Sequence, residues 1–260
     1  MLVYLPLLLF VVAGLLSFAS LAYLLQLWRK RSVDTSQNFF TLADTALATL
    51  LMVGFVYLAW VGISKQQEPT ITVGVIVESG LVYACVVVFI CGVMMIQENW
   101  PWRAFGLLQT RWRTCGVAFM CFLAALPLVF FAQELVSFFV GKIPLQPIAK
   151  FWLTNDSWHD RVILAFFAVV VAPVCEETIF RGYLYGVLKR HFGVAGAAIT
   201  VSVIFAAIHL HMPVIAGLFI LALIFTLVYE VTKSLTGAII CHALFNALSL
   251  IGIILFPESI

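Results

Sequence analysis

An all-α fold, a polytopic bundle of about eight transmembrane helices, is what this chain predicts, and three observations carry that expectation. Of its 260 residues, 64% are hydrophobic and 10% charged, with a mean hydropathy of +1.13. Soluble domains carry about 25% charged residues. The apolar residues also gather into runs close to the roughly 20 residues that a helix needs to cross a bilayer. Finally, most charged residues fall between those runs, as they do in membrane proteins.

The runs lie near residues 2–27, 39–63, 72–96, 115–140, 161–188, 194–211, 214–230 and 237–256. Arg29, Lys30 and Arg31 follow the first, which has no basic residue before it and is longer than a signal-peptide core. A retained span with its N-terminus outside is therefore expected. Alternating spans then put nine basic residues in cytoplasmic connections (Arg29, Lys30, Arg31, Arg103, Arg111, Arg113, Lys189, Arg190, Lys233). Outside connections receive four: Lys65, Lys142, Lys150 and Arg161. Nine against four favours this orientation. Segments 194–211 and 214–230 are short and separated by His211-Met212-Pro213, so they are two spans, or a span and a re-entrant piece beside a cavity. Asn99-Trp100-Pro101-Trp102-Arg103 carries interfacial aromatics and is expected along the cytoplasmic surface. No internal repeat or linker is visible. The chain divides into residues 1–160, N-terminal helices without a recognised motif, and residues 161–256, the expected catalytic core.

Composition excludes several functions. A net charge of +2 gives no footing for nucleic acid; the lipid bilayer is the one partner that composition itself demands. The six cysteines (Cys85, Cys91, Cys115, Cys121, Cys175, Cys241) sit in or beside apolar segments without paired spacing and read as small buried hydrophobes. Cys241 and His242 are neighbours in sequence, yet adjacent helical residues point about 100° apart and do not form a pair.

Chemistry concentrates in Ala172-Pro173-Val174-Cys175-Glu176-Glu177-Thr178-Ile179-Phe180-Arg181. A charge at membrane depth costs at least a few kcal/mol, so intramembrane ionisable residues mark function or tight pairing. Glu177 and Arg181 are spaced i, i+4 with the acid first, the favourable sense for a helical ion pair. Glu176 is then left over, turned about 100° around the helix, with no partner in its own neighbourhood. It is the candidate base that takes a proton from water. Phe205-Ala206-Ala207-Ile208-His209 places an imidazole late in another segment. His242-Ala243-Leu244-Phe245-Asn246 places a His and an Asn on one face of the last span. A carboxylate, two imidazoles and a carboxamide on separate helices form a hydrolytic set: a base, a proton relay, and donors for an oxyanion.

Glu-Glu-x-x-x-Arg, Phe-x-x-x-His and His-x-x-x-Asn, in this order on successive apolar segments, resemble the CAAX protease and bacteriocin-processing family of intramembrane endopeptidases, which includes the type II CAAX prenyl endopeptidase. The resemblance covers about residues 165–250. It implies that Glu176 activates water with help from His209, that His242 and Asn246 form the oxyanion site, and that Glu177 and Arg181 support them. Gly182, directly after Arg181, also fits the family's run. The implied substrate is a membrane-embedded or lipidated protein or peptide, and the implied location is the plasma (inner) membrane of a prokaryote. Glu176, His209 and His242 would also make a zinc-like set of one Glu and two His. No cofactor is nonetheless expected, because Asn246 suits an oxyanion donor better than a zinc site. Two other readings stand beside the endopeptidase: a non-proteolytic scaffold or bacteriocin-immunity-type factor of the same fold, and an ion-coupled transporter. The transporter lacks the internal repeat usual in that class.

Overall fold

A computed structural model describes residues 39–64, 71–141, 147–209 and 214–255. The expected first span, near 2–27, and its following basic cluster lie outside the described residues. Among those described, the chain is helical with no strand. The helices are α1 (Leu42–Ser64), α2 (Val73–Ile96), α3 (Pro101–Ala104), α4 (Trp112–Val140), α5 (Pro147–Thr154), α6 (Trp158–Phe166), α7 (Ala172–Glu177), α8 (Tyr185–Ile208), α9 (Ile215–Thr232) and α10 (Leu235–Leu255). Two π-helical stretches, Phe167–Val171 and Thr178–Leu184, join α6 to α7 and α7 to α8.

Six helical stretches are long and apolar enough to cross a membrane, and the protein is an integral membrane protein. One of the six, Trp158–Ile208, runs for 51 residues. At ~1.5 Å per residue it would reach ~76 Å, more than twice the ~30 Å of a hydrocarbon core. The expected segments 161–188 and 194–211 are thus joined in one helical run, and Gly193 divides it. Its φ of 67° and ψ of −178° belong to a region that glycine alone enters readily.

One end of the bundle is tied by polar contacts from segments far apart in sequence. Asp44, fully buried, accepts from Thr41 N at 2.7 Å and from Tyr183 Oη at 3.0 Å. Thr41 Oγ1 donates to Gln97 at 2.9 Å, and Thr45 Oγ1 meets His191 Nε2 at 3.1 Å. Glu230 bridges Lys189 at 2.5 Å and Lys233 at 2.6 Å. The 97–111 connection, which contains the aromatic Asn99–Arg103 stretch with Trp100 and Trp102 exposed, packs against this end. Leu235 N donates to Phe105 O at 3.0 Å, and Thr110 Oγ1 lies 3.0 Å from Ser234 Oγ. Among the described residues, the 97–111 connection, Lys189 and Lys233 meet at this one end. The core between the ends is aromatic and aliphatic, with Ile90, Met94, Phe180, Tyr183, Phe205 and Phe225 at its centre, while α1 and α2 present exposed apolar side chains such as Leu50, Val53, Leu58, Val82 and Phe89, the surface that lipid covers.

Gly106 shows how close the packing of the connection is. Its φ is +68°, and a Cβ there would lie 1.9 Å from Lys233 O. Gly106→Ala is expected to cost about 2 kcal/mol or more, from the left-handed backbone plus the displaced 233–235 turn. Thermal unfolding in detergent checks this, and an unchanged midpoint would contradict the close approach.

Candidate active site

Glu176 and Glu177 close α7, about halfway along the run from Trp158 to Gly193, and the two π-helical stretches flank them. A π turn adds a residue and rotates the face that follows, and such turns gather at functional sites. Pro173, which has no N–H, follows the first one with only Ala172 between. Gly182 leaves room on the opposite side, because a Cβ there would sit 3.1 Å from the Phe105 ring.

The two glutamates have different surroundings. Glu177 and Arg181 are wholly buried, and Arg181 Nη1 donates to Glu177 Oε1 at 2.9 Å. The same oxygen lies 2.8 Å from His242 Nδ1. Arg181 Nη2 donates to Ala222 O at 3.0 Å, and the guanidinium carbon stands 4.7 Å from the Phe205 ring centre and 5.2 Å from that of Phe225. Desolvated cation–π contacts of this kind contribute up to about 2 kcal/mol each. Glu176 is 6% exposed, and among the described residues its carboxylate has no hydrogen-bond partner. It shares an electrostatic environment with His242, Glu177 and Arg181 and with Tyr83 of α2.

Straight spans would hold His209 and His242 apart, near opposite ends of their segments. From Gly193 to Ile208 α8 rises only ~23 Å at ~1.5 Å per residue, short of a ~30 Å core, so His209 ends a stretch shorter than a full span. The Phe205 ring then lies between the two histidines, 4.7 Å from the His209 ring and 6.0 Å from that of His242. His242 also stacks on Phe225 at 4.6 Å and 20°.

The hydrogen bonds set the tautomers. His209 Nδ1 is 2.7 Å from Phe205 O; a carbonyl only accepts, so Nδ1 carries the proton and Nε2 is the basic nitrogen of the neutral ring. His242 Nδ1 likewise donates to the carboxylate of Glu177, leaving Nε2 for the site. His209 is exposed at the helix end, His242 buried. Asn246 Nδ2 donates to Ala168 O at 2.8 Å, in the first π-helical stretch, so one of its two N–H groups is engaged by the backbone.

The structure thus gathers Glu177, Arg181 and His242 into one bonded network, sets Glu176 beside it, brings His209 to it through Phe205, and ties Asn246 to the helix before the glutamates. Phe205 and Phe225 were not read from the sequence as site residues. Phe205 had a visible signal, since it stands i, i+4 from His209; Phe225 had none. Among the described residues, no three His, Cys, Asp or Glu side chains converge as metal ligands.

Comparison with known proteins points the same way as this geometry. Residues 158–248 match the family described as type II CAAX prenyl endopeptidase Rce1-like. Over 104 residues the chain is 36% identical to the membrane-embedded CAAX protease MroQ of Staphylococcus aureus (strain USA300). That alignment takes in 38% of this chain and 42% of the relative, so the chain spans less than half the length of the curated protein it matches. No solved structure matches. All six of the side chains that the sequence singled out lie within 158–248, the segment that is similar to the type II CAAX prenyl endopeptidase family.

Proposed function

We propose that this protein is an intramembrane endopeptidase that hydrolyses a peptide bond of a membrane-embedded or lipidated substrate with water activated by Glu176. One observation carries the reading. Of two adjacent buried carboxylates, Glu177 is bonded to Arg181 and His242, whereas Glu176 has no hydrogen-bond partner among the described residues. A buried carboxylate without a structural partner is one held for a proton.

The step follows from the atoms at hand. Glu176 takes a proton from water, His209 Nε2 accepts a hydrogen bond from the same water, and the oxygen attacks the scissile carbonyl carbon. The resulting oxyanion is held by the second N–H of Asn246, and His242 Nε2 joins it when that nitrogen carries a second proton, balanced by the Glu177 carboxylate that accepts from Nδ1. Collapse breaks the C–N bond, and the proton on Glu176 passes to the leaving amine. The step is written without a metal, on the reading of Asn246 as an oxyanion donor. The substrate comes to the site from the bilayer. The membrane is the plasma (inner) membrane of a prokaryote, with the N-terminus outside.

Cleavage of a quenched-peptide panel, with and without a lipidated C-terminal Cys, tests the reading on purified protein in detergent and in liposomes. Hydrolysis by the wild type that survives a zinc chelator is expected. Chelator-sensitive hydrolysis restored by added zinc would overturn the metal-free step. Silence across the whole panel in both media would overturn the protease reading.

A further inference from the structure

Pro173 leaves a backbone acceptor short of a donor close to the glutamates. In the π-helical stretch Phe167–Val171, the Ala172 N–H bonds back to Phe167 O, five residues earlier. An α-helical turn would have given that N–H to Ala168 O; here it is spent. One place further along, the π spacing pairs Ala168 O with residue 173, and Pro173 has no N–H to give. Both intrahelical donors for the Ala168 carbonyl are therefore missing. Asn246 Nδ2 donates to that carbonyl at 2.8 Å, across a sequence separation of 78 residues.

We propose that Asn246 takes the place of the backbone N–H that Pro173 lacks, and that this bond is what orients its carboxamide toward the reacting carbonyl. A carbonyl acceptor admits only the amide nitrogen, so the contact fixes which way the Asn246 amide is turned. It also clamps α10 to Ala168 in the π turn, five residues before Pro173 and ahead of the glutamates that follow. Pro173 is thereby a positioning residue: it acts through Asn246, and it does so by what it withholds. An alanine at 173 brings an N–H into competition for Ala168 O, and the carboxamide loses its fixed orientation. This inference rests on the reading of Asn246 as an oxyanion donor, and it adds the reason why that amide is held in one orientation.

The test is a double-mutant cycle of Pro173→Ala and Asn246→Ala, read by thermal unfolding in detergent and by steady-state cleavage. With Pro173 in place, Asn246→Ala strands a part-buried carbonyl and should lower the unfolding midpoint by roughly 2–10 °C. In the Pro173→Ala background the same change should cost less than half of that, because the new N–H satisfies Ala168 O. Pro173→Ala alone should lower kcat on the order of 10-fold to 100-fold with KM little changed, the signature of a misoriented catalytic donor rather than a lost binding contact. Equal midpoint losses in the two backgrounds, or an unchanged kcat in Pro173→Ala, would overturn the proposal. If Pro173→Ala does not insert, hydrogen exchange of Asn246→Ala decides: faster exchange over 167–173 with 112–140 unaltered supports the bond, and no change refutes it. Silence of the wild type across the peptide panel would remove the proteolytic reading while leaving the midpoint coupling readable, so the two failures are distinguishable.

Discussion

Glu176→Gln is expected to abolish cleavage, by about 10³-fold or more, while the protein folds and inserts as well as the wild type or better. The two halves of this expectation come from the same feature. As the base, Glu176 must accept the proton that water loses, and a carboxamide cannot do so; acid–base participation alone contributes about 10²–10⁴-fold. As a structural element, its carboxylate contributes little, because it is 6% exposed and no hydrogen bond to it is present among the described residues. Neutralising it with an isostere removes a buried charge at no loss of contact, and that relieves desolvation rather than adding to it. The paired measurement is peptide cleavage and the unfolding midpoint on the same preparation. A variant that is silent and equally or more stable marks a group kept for chemistry at the expense of stability. A variant that still cleaves would place the base elsewhere, and one that is silent because it unfolds would make Glu176 structural.

The sequence was most legible where physics acts over a few residues. The apolar run 39–63 became Leu42–Ser64 and the run 72–96 became Val73–Ile96, because in lipid a continuous apolar stretch must satisfy its own backbone as a helix. The Glu177–Arg181 bond was visible for the same reason, being one helical turn apart. What stayed hidden depends on contacts across the bundle. His242 could be seen as polar and out of place, but nothing in its surroundings tells that its Nδ1 goes to Glu177, 65 residues away. The two π turns were equally invisible. Around 167–184 the chain is apolar on all sides, so no hydrophobic stripe exists from which a change of period could be read. Gly193 looked like one more glycine in a membrane helix, while in the fold its φ of 67° breaks the long run and shortens the stretch that ends at His209.

Arg181→Leu is expected to be the most destabilising single change in the site, by about 3–5 kcal/mol, a fall of roughly 6–20 °C in unfolding midpoint for a chain of this size. Arg181 is wholly buried, yet both of its terminal nitrogens are bound, to Glu177 Oε1 at 2.9 Å and Ala222 O at 3.0 Å, and the guanidinium lies against the faces of Phe205 and Phe225. Leucine keeps much of the apolar contact and removes the charge, leaving Glu177 as a buried carboxylate supported by His242 alone. The cost is thus mainly that of the stranded partner, which makes a specific prediction for the double variant. Adding Glu177→Gln to Arg181→Leu should recover a large part of the lost stability, because the uncompensated charge disappears. It should not recover cleavage, since His242 then loses the carboxylate that receives its Nδ1–H and directs Nε2 toward the site. Recovery of stability without activity would separate what the ion pair does for the fold from what it does for His242. If the double variant were no more stable than Arg181→Leu, the cost would lie in the lost aromatic and Ala222 contacts, and the buried pair would not be the element that holds this helix in place.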